Sequence, residues 1–129
     1  MKVFLRSIAG SAGVPRYQIN ATAYYVHTGN QCLYTFTNSN AILDKLYLIL
    51  PEFDHPSNML NVDFWYMNGG AQDGNSQLIV GYLTDANDTT TFVPLDSLDR
   101  ISTYTEYVLN TSLYPSIPVN ARIAFVVYK

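Results

Sequence analysis

Charge is what this sequence has least of. Only 13% of its 129 residues are Asp, Glu, Lys or Arg, about half the share of an ordinary globular domain. Lys and Arg number seven and form no cluster, and a phosphate backbone needs grouped cations. Nucleic acid is therefore not an expected partner. The formal charge of −3 is accounted for by solubility.

Cysteine is nearly absent. Cys32 stands alone, so no intrachain disulfide and no cysteine-based zinc site can form. Within Gln31-Cys32-Leu33-Tyr34-Thr35-Phe36 it is expected to be a small buried side chain. No run approaches the ~18 apolar residues of a membrane span. Met1-Lys2-Val3-Phe4-Leu5 opens like a secretion signal, but Arg6 breaks the apolar run well short of the ~7–15 residues such a core needs. Two readings stay open: an intracellular chain, or one whose natural form extends upstream of Met1.

Catalytic signatures are missing as well. There is no Gly-x-Ser-x-Gly elbow, and the two histidines fall in expected turns. Gly69-Gly70 and Gly74 lack the lysine and following helix of a phosphate loop. Helical periodicity is found nowhere.

What the chain does carry is the period of strands. Leu60, Val62, Phe64 and Tyr66 alternate with Asn61, Asp63 and Trp65, so the first set faces a core. The polar, glycine-rich stretch 68–75 reads as a loop. Leu78 to Leu83 is a second, more apolar strand, and a third starts near Thr91-Phe92-Val93. Val3 to Leu5 is a short strand ended by a small-residue loop from Ser7 to Gly13. Arg16 to Asn20 and Ala23 to Val26 are irregular or edge pieces. Cys32, Tyr34 and Phe36 form the more apolar face of the strand that follows. Lys45 to Leu50, apolar after its lysine, suits a strand covered on both faces, and Pro51 closes it. Asp96 to Ser102 reads as a turn toward a strand from Tyr104 to Leu109, and Ala121 to Tyr128 forms the last strand. Eleven tyrosines favour β structure. About eight strands at regular spacing, with neither repeat nor linker, predict a single domain over 1–129. Its class is all-β: a sandwich of two antiparallel sheets.

Four patterns add a resemblance. Ile49-Leu50-Pro51-Glu52-Phe53-Asp54 resembles an "LPEFD" turn, and Leu60 to Tyr66 has the form "L-x-V-x-F-W-Y". Val80-Gly81-Tyr82-Leu83-Thr84-Asp85 through Thr91-Phe92-Val93-Pro94-Leu95 resembles "VGYMTDPxDxxTFxPV", and Ile123-Ala124-Phe125 resembles a closing "IAFR" strand. In this order they are similar to the MAM-like jelly-roll domains of Bacteroides-type surface proteins, the choice-of-anchor and cleaved-adhesin group. The resemblance covers about residues 25–128 and is most specific over 60–95. It departs at Phe4, where relatives carry an opening tryptophan, and at Ala86, where they carry proline. It implies a jelly roll, an extracellular or cell-surface location, a place as a module within a longer chain, and no shared catalytic residues.

Among candidate sites, Glu52, Asp54 and His55 offer acid–base or metal-binding groups, although turn chemistry explains them unaided. Asp85, Asn87 and Asp88, with the loop Asp73-Gly74-Asn75, are oxygen-rich and make calcium a candidate structural ion. Otherwise no cofactor is expected. Trp65, flanked on its face by Asn61 and Asp63, has the makings of a platform for a sugar ring, with the polar groups accepting from hydroxyls. Tyr82 belongs to the same candidate set, and the tyrosines are too many for core duty alone. The expected function is non-catalytic recognition of a glycan or host glycoprotein, adhesin-like. The alternative is a structural spacer or assembly module beside other domains of a longer chain.

Overall fold

A computed structural model describes residues 2–10, 16–20, 28, 32–38, 45–67 and 77–128. Nine strands run through them: β1 (Lys2–Gly10), β2 (Arg16–Asn20), β3 (Cys32–Asn38), β4 (Leu46–Ile49), β5 (Asn61–Met67), β6 (Gln77–Leu83), β7 (Phe92–Leu98), β8 (Thr105–Asn110) and β9 (Arg122–Tyr128). Short 3₁₀ turns cover Ser57–Met59, Thr89–Thr91 and Thr111–Leu113, and no α-helix is present among the described residues. The all-β sandwich expected from strand spacing is what forms. One sheet has the order β2-β3-β1-β5-β8 and the other β4-β9-β6-β7. The chain crosses between sheets from β3 to β4, β4 to β5, β5 to β6, β7 to β8 and β8 to β9, which is the wrapping of a jelly roll.

The four-stranded sheet is antiparallel throughout. The other sheet is antiparallel except at β1, which runs parallel to both neighbours, with Leu5 opposite Leu33 of β3 and Tyr66 of β5. This β1 is longer than the sequence suggests, because Ser7–Gly10, expected as a loop, continues the ladder along Thr35–Asn38. Small residues have weak intrinsic strand preference, and a neighbouring backbone decides their state. Arg16–Asn20, expected as an irregular or edge piece, is the edge strand of this sheet, antiparallel to β3. β7 likewise runs on to Leu98 against β6, through residues expected as a turn.

Alternation builds the core. In β5, Val62, Phe64 and Tyr66 are buried and point at Leu78, Val80 and Tyr82 of β6 and Ile123, Phe125 and Val127 of β9. Phe64, fully buried, packs edge-to-face on Phe125 at 4.8 Å and lies 5.2 Å from Tyr107, so one ring ties both sheets together. Burial of a ring of this size contributes about 2–3 kcal/mol. In β3 it is Leu33 that packs against this core. Cys32 alternates with Leu33, and the side chains of Tyr34 and Phe36, expected inward, lie outside the described residues. Cys32 is buried all the same, on the other side of the strand.

The outward face of the four-stranded sheet is also closed. Gly81 and Ala124 are register partners, and the Phe92 ring lies over Gly81: a Cβ built there would meet Phe92 Cζ at 2.6 Å. Tyr47 meets Phe92 edge-to-face at 5.7 Å, while Leu83, Ala124 and Val126 on this face are buried. The half-burial of all of β4 matches the double coverage its apolar run predicts.

Candidate functional site

The outward face of β5 carries Asn61, Asp63, Trp65 and Met67. It alternates from exposed at Asn61 to half-buried at the other three. Antiparallel pairing sets Asn110 beside Asn61, Val108 beside Asp63 and Glu106 beside Trp65, close enough for directly opposite side chains to interact. On the other flank, Lys2 and Phe4 of β1 hold the register positions beside Asp63 and Trp65. An indole, two carboxylates and two amides thus share one stretch of sheet. Val108 is 52% exposed, and Glu106 is exposed.

Asp63 is the unusual member. Its Oδ1 is shut off from solvent and has no hydrogen-bond partner among the described residues. A buried acceptor left unsatisfied costs about 1–3 kcal/mol, and more when charged. Native structures keep few such groups without a reason. Asp63 as a whole is half-buried on the outward side of β5, so its carboxylate stays in part at the surface. Asn110 is already committed, its Oδ1 accepting from the backbone N–H and hydroxyl of Ser112.

No family model, curated protein or solved structure matches this chain. The site is therefore read from its own geometry.

Of the residues singled out in the sequence, Asn61, Asp63 and Trp65 come together. Tyr82 does not join them: it is 5% exposed in β6, faces the interior of the sandwich, and its hydroxyl donates to the Ser116 carbonyl at 3.4 Å. Asp85, Asn87 and Asp88 form a loop closed on itself. Asp85 Oδ1 accepts from the Asn87 N–H, and Asp88 Oδ1 accepts from the Thr90 N–H and hydroxyl. Those Thr90 bonds, the hydroxyl first, hold the Asp88 carboxyl below its ordinary range. No group of three or more His, Cys, Asp or Glu able to hold a metal ion occurs among the described residues. The loop Asp73-Gly74-Asn75 lies outside them.

Glu52, Asp54 and His55 are exposed, and Glu52 pairs with Arg122 at 3.2 Å. That pair latches the loop before β5 to the start of β9 and explains Glu52 structurally.

Sequence reading missed Glu106 and Val108. Their alternation marks them as outward residues, but only the β5–β8 register puts them beside Trp65 and Asp63. A second acidic and aromatic group lies where the sheet edges meet. Tyr107 of β8 donates to Asp96 Oδ2 of β7 at 2.6 Å. Burial first, then this bond, pushes the Tyr107 phenol well above its usual range. Tyr66 shifts the same way through burial, then through Asp99 and Asp96. This arrangement fastens one sheet to the other.

Proposed function

We propose that the outward face of β5 binds a glycan, either free or on a host glycoprotein, and that the chain is a non-catalytic recognition module of an extracellular or cell-surface protein. The observation that carries the reading is the Asp63 carboxylate, whose Oδ1 has no hydrogen-bond partner among the described residues, on the same face as the half-buried Trp65 ring. Sugars offer groups that suit such a pair: an apolar C–H face to lie on the indole and hydroxyls that donate to carboxylate oxygens. Asn61 adds a donor and an acceptor at one end, and Glu106 a second acceptor across the strand. The resemblance to adhesin-type jelly rolls supports the same class.

The test is a glycan array probed with the full chain, followed by calorimetric titration of the best ligand. Trp65→Ala and Asp63→Asn are each expected to weaken binding at least about tenfold, which corresponds to ~1.4 kcal/mol, with the fold intact by circular dichroism. An array with no bound glycan would overturn the reading, as would a Trp65→Ala variant that binds as tightly as the parent.

A further inference from the structure

The tripeptide Asn-x-Ser/Thr, with x other than proline, is the acceptor pattern for N-linked glycosylation. It occurs three times in this chain, at Asn20-Ala21-Thr22, Asn87-Asp88-Thr89 and Asn110-Thr111-Ser112. A pattern this short recurs by chance, and the fold separates the three.

The first leaves the described residues after Asn20. The third is tied into the sandwich. Its middle residue, Thr111, is fully buried. The Thr111 N–H donates to the Leu60 carbonyl at 3.0 Å, and its hydroxyl accepts from the Leu60 N–H and donates to the same carbonyl. Asn110 Oδ1 accepts from the N–H and hydroxyl of Ser112. Drawing this tripeptide into an enzyme's cleft would break buried bonds to a distant strand end and leave their partners unsatisfied.

Asn87-Asp88-Thr89 differs at each point. All three residues are exposed, in the loop between β6 and β7. The Asp88 N–H donates to the Asp85 carbonyl at 3.1 Å, which makes Asn87 a central residue of a β-turn. The Asn87 backbone N–H donates to Asp85 Oδ1, but its side-chain amide makes no hydrogen bond among the described residues, and neither does the Thr89 hydroxyl. The hydroxyls of Thr90 and Thr91 are engaged. The side-chain bonds that close this loop run within residues 85–91 and are exposed. Water can replace them at small net cost, so the loop opens without disturbing β6 or β7.

We propose that Asn87 is an acceptor for N-linked glycosylation of the folded chain. Its amide nitrogen takes the anomeric carbon of an oligosaccharide carried on a lipid pyrophosphate. The N–C bond forms and the C–O bond to the pyrophosphate breaks. The lipid pyrophosphate leaves with the electron pair, and one amide proton passes to a base of the transferase. Nothing is oxidised or reduced. Thr89 supplies the hydroxyl that the pattern requires. The site is separate from the outward face of β5. Its use in the cell rests on the extracellular location proposed above, whereas the acceptor chemistry does not.

The test incubates the purified, folded full chain with an oligosaccharyltransferase and a lipid-pyrophosphate-linked oligosaccharide, then reads intact mass and peptide maps. One added glycan is expected, on Asn87 and removable by peptide N-glycosidase. Asn87→Gln and Thr89→Ala should lose it, Thr89→Ser should keep it, and Asn110→Gln should be modified like the parent. A folded chain left unmodified while a control acceptor peptide is glycosylated would overturn the proposal. So would a glycan carried mainly on Asn110 or Asn20, or one retained by Asn87→Gln. None of these outcomes bears on the β5 face, which stands or falls with the glycan array.

Discussion

On the outward side of the four-stranded sheet, Gly81, Leu83, Ala124 and Val126 are buried, with the Tyr47 and Phe92 rings edge to face among them. On the outward side of the five-stranded sheet, Asp63 and Trp65 are half-buried and Asn61, Glu106 and Val108 exposed. Both faces belong to strands whose other side enters the same core, so burial of the core does not distinguish them. Side-chain size and charge do. The small register pair Gly81–Ala124 leaves room for a ring to settle on the backbone, and the charge on that face of β9, Arg122, is paired with Glu52. Around Asp63 the alternate positions hold charge and amide, which keep water or a ligand close. Among the described residues, one face is buried by the chain itself and the other keeps charged and amide side chains at its surface.

The interior sets the scale for testing this contrast. Phe64→Ala removes the ring shared by both sheets and is expected to cost about 3–5 kcal/mol, seen as a lower urea midpoint. A loss below about 1 kcal/mol would show that Phe64 does not couple them.

Gly81→Ala attacks the closed face. Its methyl would stand 2.3 Å from the Val93 carbonyl and 2.6 Å from the Phe92 ring, and overpacking of this kind costs about 1–3 kcal/mol. Combining it with Phe92→Ala should recover part of that loss, because the ring clash is then gone while the carbonyl remains. Full additivity of the two changes would contradict the account.

Tyr107→Phe tests the fastening between the sheets. At neutral pH the lost bond to Asp96 should cost no more than about 1 kcal/mol. The larger signature comes in alkali. The folded chain holds the Tyr107 proton above the ordinary phenol range, whereas the unfolded chain releases it near pH 10. Stability is therefore complete below about pH 10 and falls as pH rises toward the folded value. The Phe variant should lose stability less steeply in that window; an unchanged slope in alkaline denaturation curves would refute the assignment.

The smallest effect on stability is expected on the open face. Asp63→Asn should be neutral or slightly stabilising, since it removes the charge from an oxygen that has no donor among the described residues, while glycan binding falls. A thermal melt showing marked destabilisation would mean that Asp63 serves the fold and not a ligand.

Several of these features were legible in the residue order. The alternation of Leu60 to Tyr66 predicts both the core face of β5 and the outward place of Trp65 and Asp63, because a strand has a strict period of two. The apolar run of β4 predicts its double coverage. Tyr82 shows where such reading stops. Its strand was evident, but which of two apolar faces meets the other sheet depends on packing, and its hydroxyl finds a carbonyl in a distant loop. Apolarity ranked the Cys32 face of β3 inward, whereas Leu33, on the other face, packs against the core. The lone oxygen of Asp63 and the neighbours Glu106 and Val108 depend on cross-strand register, which no local pattern encodes.

The position of β1 bears on how the chain is made. A ribosome releases this strand before β5, yet one of its two seams is with β5, whose Asp63 pairs with Lys2 and is synthesised roughly sixty residues later. Pairing across such a separation is slow, because chain closure precedes any gain from contact. Until Met67 has emerged, one backbone edge of β1 lacks its native cover, and during translation that edge is open to chaperones or to a neighbouring nascent chain.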